Sequence, residues 1–522
     1  MLKRTLGIFL FLTLFVATSS LAQQKEKTIS LSLENCILKA MENNLGVAIE
    51  VLNPELADIS VSKAQEKFLP SLSFSLDRRD TNSASYSFLD AREEVATVTD
   101  NYSAQISQLI PTGGSFSISL EGYKTDTTRR FQTINPRYGS TLSFNFTQPL
   151  LKNFGFKVSR REIIIARNNQ DISESQLKRM LQETTYSVEE AYWNLVHSIE
   201  NLKVRQQSLK LAQDLLEKNK RAVEVGTLAP IEILSAQSAV ATREADILQA
   251  EAVLKDSEDR LKTIINLSAQ EKGTELATII PLDKPAYEKK EVTLDEALRT
   301  AMDNRPDLNA TRIDLKNKEL NLSYSRNQLL PNLSLNASYW SPGITGDQIL
   351  YLNDNAFSGV IIGTIPGNPS DALKDTFAFK YNNWSAAITL DIPLNTFLSR
   401  ADYAQARVNL DQAMLSLKNQ EQQIFLEIKS AVRAVETDYK RVQAYKVARE
   451  LAEKTLEAEE EKLKVGITTP FFVLQYQTDL ATAQTNELKA MIDYNLSLAR
   501  LNRAMGVSLK AKNIKFSAIL AE

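Results

Sequence analysis

The sequence predicts a mostly helical α+β chain built from two tandem copies of one unit, each carrying membrane-type strands and long coiled-coil helices. Three observations predict it. Glu217–Leu267 and Glu457–Val507 align without a gap at an offset of 240, and a repeat of that size is one structural unit used twice. Short runs alternate apolar with small polar residues. Gly is scarce, 16 in 522 residues, while Gln, Ala, Leu, Glu and Lys crowd the segments between those runs, which reads as extended helix. A second match, at offset 261, sets Leu33–Ile37 against Leu294–Leu298 and Leu69-Pro70 against Leu330-Pro331.

Residues 1–22 read as a secretory signal. Lys3-Arg4 supply the charge, Leu6–Val16 the apolar stretch and Ser20-Leu21-Ala22 the small-x-small cleavage site. Cleavage removes two bases and no acid, taking the net charge from -3 to -5. No nucleic-acid footprint is visible at that charge. One Cys and one His make an internal disulfide or a metal cage improbable. No later stretch reaches the ~18 apolar residues of a spanning helix, so any membrane this chain crosses must be crossed by strands.

The strands follow in order, about 69–80, 101–124 and 139–149 in the first copy, and about 331–340 and 381–393 in the second. Leu72, Phe74 and Leu76 alternate with serines; so do Leu142, Phe144 and Phe146 with Ser143, Asn145 and Thr147. Leu333–Tyr339 and Trp384–Ile392 repeat the pattern. A period of two puts the apolar set on one face, toward lipid in a membrane barrel, and the polar set on the other. Tyr339, Trp340, Tyr381 and Trp384 suit an aromatic girdle near strand ends. A soluble β-sandwich with one wet face has the same alternation; the signal and the flanking helices favour the barrel. Two further alternating runs, around Tyr102–Ile106 and Phe116–Leu120, flank Pro111-Thr112-Gly113-Gly114, a hairpin signal. That pair either joins the wall or decorates a loop, so each chain supplies four strands or six.

The long helices are expected at 155–225 and 396–465, each ~70 residues and ~105 Å. Their partners come in two pieces per copy, roughly 47–69 with 231–267, and 307–330 with 471–506. Gly226 and Gly466 end the long helices, Pro230 and Pro470 restart the chain, and Pro306 opens another helix. A seam spaced four and three runs through Leu234, Ser238, Ala241, Ala245, Leu248 and Ala252, and again through Leu474, Thr478, Ala481, Thr485, Leu488 and Ile492. The charges elsewhere on these helices either solvate a surface or line an aqueous lumen.

These residues bring the chain to a known family. Leu69-Pro70-Ser71-Leu72 and Leu330-Pro331-Asn332-Leu333 open strands; Gln148-Pro149-Leu150 and Ile392-Pro393-Leu394 close them. Val225-Gly226…Leu234…Gln237 and Val465-Gly466…Leu474…Gln477 mark two tips. In that order, twice over, the chain resembles the TolC-like outer-membrane efflux proteins over essentially its whole mature length. The resemblance implies a homotrimer sharing one transmembrane β-barrel, continued by a periplasmic α-helical barrel with an equatorial belt. It implies an outer-membrane location in a Gram-negative-type cell, lipid around the strands, no cofactor, and no catalysis. It implies the outlet of a tripartite efflux or type I secretion system, meeting a periplasmic adaptor (membrane fusion) protein and an inner-membrane pump. The domains expected are 1–22 signal, 23–268 first repeat, 269–291 linker, 292–507 second repeat and 508–522 tail. Residues 23–30, 268–291 and 508–522 suit the belt, with short helices near 31–44 and 292–304.

Barrel physics argues for several copies independently, because two to six strands cannot close and open edges are not tolerated in lipid. The adaptor-docking tips are expected at Val225, Gly226 and Thr227, and at Val465, Gly466 and Ile467. The family often places Leu-Asp-x-Leu-Asp after the turn, but here the second copy reads Phe471-Phe472-Val473-Leu474-Gln475, without acid. The gate candidates are Phe471, Phe472 and Gln475, with Glu232 from the first copy. Three phenylalanine pairs would gate by dewetting; the plainer reading packs them between helices. Cys36 is expected as a buried small apolar residue and His197 as structural. No nucleophile elbow, HExxH or phosphate loop occurs. The competing class is a soluble periplasmic coiled-coil scaffold with no transport activity.

Overall fold

The computed structural model describes residues 28–87, 90, 93–267, 277–285 and 287–514. The proposed signal, 1–22, lies outside them, as do the ends of all three belt segments. The described chain forms two compact units.

Unit 1 comprises residues up to Asn44, Ser187–Glu288 and Tyr439–Leu496. It holds β1 (Thr28–Leu31) and α1 (Leu33–Asn43). Ser32 caps α1, its hydroxyl accepting from the Asn35 amide at 3.2 Å, which satisfies one of the helix's unpaired donors. β1 pairs in parallel with a later strand, Thr278–Pro281, the register running Thr28 to Thr278 through Leu31 to Pro281. This two-stranded piece is pinned by the buried Glu258 and Tyr192 and by the exposed Asp283. The Ile279 amide donates to Glu258 at 2.7 Å. The Tyr192 hydroxyl donates to Asp283 at 2.9 Å, and Asp283 also accepts from the Leu33 amide at 2.7 Å. Cys36 is fully buried on α1, and burial, then Asp283, pushes its thiol up to about 12.

Unit 2 comprises Leu45–Tyr186, Lys289–Asp438 and the described residues from Ser497 onward. It opens with α2 (Leu45–Glu66) and continues into β2 (Ser71–Ala84), β3 (Glu94–Leu109), β4 (Ser115–Thr127) and β5 (Ile134–Pro149). After the short α3 (Phe156–Ser159) comes α4 (Arg161–Glu224), whose second half belongs to unit 1 with α5 (Ile231–Ile265) and β6 (Thr278–Pro281). The second repeat retraces this path with α6 (Leu294–Asn304), capped by Thr293, and α7 (Pro306–Asn327), which has Pro306 in its first turn. Then follow β7 (Asn332–Tyr351), β8 (Ile361–Ile365), α8 (Pro369–Phe377), β9 (Asn383–Asp391), α9 (Phe397–Lys464), α10 (Pro470–Ala504) and α11 (Ser508–Ala511). The repeats match closely in length: α2 and α7 have 22 residues each, and α5 and α10 have 35 each.

One antiparallel sheet carries the strands in the order β2-β3-β4-β5-β7, with β8 and β9 both pairing β7. The run at 101–124 resolves into β3 and β4, and both lie in this sheet. Tyr339 and Trp340 differ from their expected place. They sit at the top of β9, opposite Trp384 and Asn383, but β7 itself continues to Tyr351. Pro342 is tolerated in that extension because β9 does not reach it, so its missing N–H breaks no ladder bond there.

Candidate functional site: the strand faces and the helix tips

The cross-strand register turns each alternating run into continuous rows. Leu72, Ile106, Ile118, Phe144, Tyr339 and Trp384 lie directly opposite one another in turn, one apolar row crossing six strands. One residue along, on the other face, Ser71, Ser107, Ser117, Asn145, Ser338 and Ser385 make an equally complete polar row. The polar face ties itself together: Ser71 and Ser107 hydroxyls lie 2.8 Å apart, Ser75 and Ser103 2.7 Å, Thr97 and Thr127 2.9 Å. An apolar face toward lipid and a hydroxyl-lined face toward water suit these rows. Among the described residues no helix is long and apolar enough to cross a membrane.

On the apolar face α8 lies over β5 and β7. Thr376 is buried, and its hydroxyl donates to the Ser140 carbonyl at 3.1 Å and lies 2.6 Å from the Ser140 hydroxyl. The close approach needs Gly343, where a Cβ would lie 2.0 Å from the Ala372 carbonyl oxygen. Sequence reading missed this helix; Asn368-Pro369, an N-cap followed by a first-turn proline, is the signal that marks it.

The tips lie in unit 1 and are near-copies. Gly226 and Gly466 have φ of +78° and +76°, the left-handed conformation that ends a helix on glycine. The Gly226 amide donates to Val223 at 3.0 Å and the Thr227 amide to Ala222 at 2.9 Å; Gly466 and Ile467 do the same to Leu463 and Lys462 at 3.1 and 3.0 Å. Val225, Val465 and Ile467 are exposed, so each turn presents aliphatic surface.

Beyond the second tip, Phe471 and Phe472 are 56% and 47% exposed and meet edge to face at 5.6 Å. They do not enter the local core; Val473, Leu474 and Leu480 do, against Leu215 and Leu456. Gln475 is exposed and donates to Asp479 at 3.2 Å. Glu232 stands apart from them in character: one carboxylate oxygen is buried without a partner, and its backbone carbonyl accepts from Asn219 at 3.3 Å. His197 has a buried Nε2 without a partner, and burial lowers its pKa, followed by Lys489.

The two expected seams part company. In α10 Leu474 and Leu488 are buried, 8% and 9% exposed, whereas their counterparts Leu234 and Leu248 in α5 are 61% and 67% exposed. Within the chain α5 instead buries a stripe two residues along, Ala236, Arg243 and Ala250. Arg243 is the residue that sequence reading passed over. Its guanidinium donates to the Ser208 carbonyl at 2.9 Å, Gln477 at 3.1 Å, Thr478 at 3.3 Å and the Leu474 carbonyl at 3.4 Å. Burial lowers its pKa, with Asp246 opposing. It thus ties α5 to α4 and α10 just behind the tips.

A second ionic node lies in unit 2. Arg305 pairs with Asp307 at 2.7 Å and Glu427 at 2.5 Å, and donates to the Ala504 carbonyl at 3.1 Å. Burial pushes Asp307 up, but the Arg305 hydrogen bonds and charge outweigh it and hold the carboxyl below its ordinary value. A depressed carboxylate stabilises above its unfolded pKa, and that contribution disappears as pH falls through the folded value. Detergent-purified protein should therefore lose thermal stability below about pH 4. Asp307→Asn should flatten that acid limb; an unchanged limb would mean the node contributes nothing.

A sheet with one apolar and one hydroxyl-lined face, followed by helices of 64 and 68 residues, defines a β-domain for a membrane with a helical extension in water. The family profile described as "Outer membrane efflux protein" matches residues 37–267 and 297–507. The outer membrane protein TolC of Vibrio cholerae is 25% identical over 382 residues, 71% of this chain and 78% of that protein. Nodulation protein T of Rhizobium leguminosarum bv. trifolii is 22% identical over 309 residues, 58% of this chain and 59% of that one. In fold, the chain is similar to the Campylobacter jejuni CmeC outer membrane channel, with TM-score 0.61, 15% identity and 93% and 90% of the two chains covered. The open state of the Neisseria gonorrhoeae MtrE outer membrane channel gives TM-score 0.60 at 18% identity, covering 91% and 89%.

The chain belongs to the outer membrane efflux protein family. It is an outer-membrane efflux channel with a periplasmic part, a passive conduit and not an enzyme. The soluble-scaffold alternative is not favoured. The family forms trimeric outer-membrane channels.

Proposed function

We propose that this channel is the outer-membrane outlet of a tripartite efflux or type I secretion system in a Gram-negative-type envelope. Its tips at Val225-Gly226-Thr227 and Val465-Gly466-Ile467 dock a periplasmic adaptor, which couples it to an inner-membrane pump. The observation that carries the reading is the pair of matching glycine turns, each holding exposed aliphatic side chains, Val225 at one and Val465 and Ile467 at the other. The domain scheme proposed with it is a signal at 1–22, repeats at 23–268 and 292–507, a linker at 269–291 and a tail at 508–522.

The test is assembly together with transport. Outer-membrane protein should run as an SDS-resistant trimer until boiled, and deleting the gene should raise intracellular accumulation of an exported dye. A monodisperse monomer in mild detergent, extracted without loss of export, would overturn the reading.

The gate follows from the same tips. Three copies of Phe471 and Phe472 at one level make an apolar constriction that closes by dewetting, with Gln475 and Glu232 beside it. Their exposure supports this reading, because side chains packed between helices of one chain would be buried. Phe471→Ala with Phe472→Ala should raise single-channel conductance several-fold and sensitise cells to large antibiotics. Glu232→Lys should alter selectivity more than conductance. Wild-type conductance in the double alanine variant, with a Glu232→Lys pore that closes or inverts, would assign the gate to the carboxylate.

A further inference from the structure

Among the described residues three strands of the sheet are paired on one side only: β2 bonds to β3, β9 to β7, and the short β8 to the far end of β7. The two that adjoin the long helices are β2 and β9. Five antiparallel steps separate them, so β2 and β9 run in opposite directions. In lipid neither edge can remain open, because each unsatisfied backbone group costs several kcal/mol. We propose that three copies close an eighteen-stranded barrel, β2 of each copy pairing antiparallel with β9 of the next, with the β3–β4 hairpin forming wall and not loop. The inference rests on the trimeric-channel reading and adds the strand number and the register.

Three observations carry it. The hairpin supplies Ile106 and Ile118 to the middle of the apolar row, and Ser107 and Ser117 to the middle of the polar row. A twelve-stranded wall would have to expel β3 and β4, leaving those isoleucines in water. It would also give up the whole 14-residue ladder between β2 and β3.

The edges match in face as well. The apolar positions of β2 are Leu72, Phe74 and Leu76, and those of β9 are Ala386, Ile388 and Leu390. Pairing Leu72 with Leu390 sets Phe74 against Ile388 and Leu76 against Ala386, with Ser73 opposite Thr389 on the water face.

Finally, the stagger closes. The apolar row enters at Leu72 and leaves at Trp384, six residues along β9 from Leu390, which becomes the neighbour's partner for Leu72. A stagger of six residues over six strands, at ~3.3 Å rise and ~4.8 Å spacing, tilts the strands by about 35°. That lies in the 35–45° range of closed barrels, which a stagger of four would miss and one of eight would meet near about 42°. At the first tilt the backbone diameter is about 34 Å, against about 23 Å for twelve strands.

The edges of the adjoining helices agree with this pairing. α2 leads directly into β2 and shows an exposed stripe, Leu45, Ile49, Leu52, Leu56 and Ile59, spaced four and three. β9 leads into α9, where Val408 and Leu415 are exposed seven residues apart. Both lateral edges of unit 2 thus carry apolar surface from strand into helix, which suits a second copy of this chain.

The test uses the full chain in outer membranes, in a Cys36→Ala background. Ser73→Cys with Thr389→Cys, or Ser75→Cys with Thr389→Cys if the stagger is eight, should give a covalent trimer on a non-reducing gel after boiling. Leu72→Cys with Thr389→Cys, on opposite faces, should not. Single cysteines at Ser107 and Ser117 should react with a membrane-impermeant maleimide through the pore at least ten times faster than those at Ile106 and Ile118. A trimer that cross-links Ser73→Cys to Asn145→Cys within each chain, and labels all four hairpin positions alike, would overturn the eighteen-stranded wall while leaving the trimeric channel intact. A monomer without any inter-chain link would remove the trimeric reading itself.

Discussion

Replacing Gly226 and Gly466 together by tryptophan is expected to abolish export while leaving the SDS-resistant trimer in the membrane. Both glycines adopt positive φ, and an L-residue held there costs roughly 1–2 kcal/mol per site. That cost is small beside the packing of α4 and α9. A Cβ at either site meets nothing within 4 Å, so the new side chain projects outward and does not disturb the chain that bears it. Any large effect must then come from a partner that approaches the turn. Asparagine tolerates the left-handed conformation, so Gly226→Asn with Gly466→Asn separates bulk from strain and should retain most export. Dye accumulation and cysteine cross-linking to the adaptor read the outcome. Wild-type export in the tryptophan variant would show that the tips are not the docking surface.

Arg243→Ala is expected to loosen the region behind the tips and make the channel leak. The guanidinium is buried, and it bonds four acceptors on α4 and α10. Truncation leaves a cavity and strands Gln477 and Thr478, on the order of 2–4 kcal/mol. Lysine has one nitrogen in place of a planar fork and cannot reach all four acceptors, so Arg243→Lys should recover only part of the loss. Higher resting conductance in planar bilayers and vancomycin sensitivity without the pump are the expected readouts. Unchanged conductance in a variant with a lowered melting temperature would assign Arg243 to stability alone.

Much of this architecture is legible in the residues. The offset of 240 and the V-G-x-x-x-P turns locate both tips, because glycine at a helix end and proline at a helix start each answer a local backbone demand. The alternating runs locate the strands, because a two-residue period is a local property of extended chain. Pro306 marks α7 for the same reason. The seams show where local reasoning stops. Leu474 and Leu234 occupy equivalent positions in near-identical heptads, yet one is buried within the chain and the other is exposed. A heptad states that a stripe seeks a partner; it does not state which one. Arg243 was invisible because a charged residue on a helix normally reads as solvated, and only its spacing of seven from Ala236 and Ala250 placed it on a stripe.

By itself, then, the sequence determined the repeat, the long helices, the two glycine turns and the two-faced chemistry of the strands. Tertiary structure decided what depends on register and partners. It put the β3–β4 hairpin inside the sheet by aligning Ile106 and Ile118 with Leu72 and Phe144. It carried β7 past Pro342 because no neighbouring strand needs that missing amide. It seated α8 on Gly343, and it chose Arg243 over Leu234 as the buried contact. Local backbone preference acts over a few residues and can be read along the chain. Burial is settled between residues far apart in sequence, by which faces meet in space.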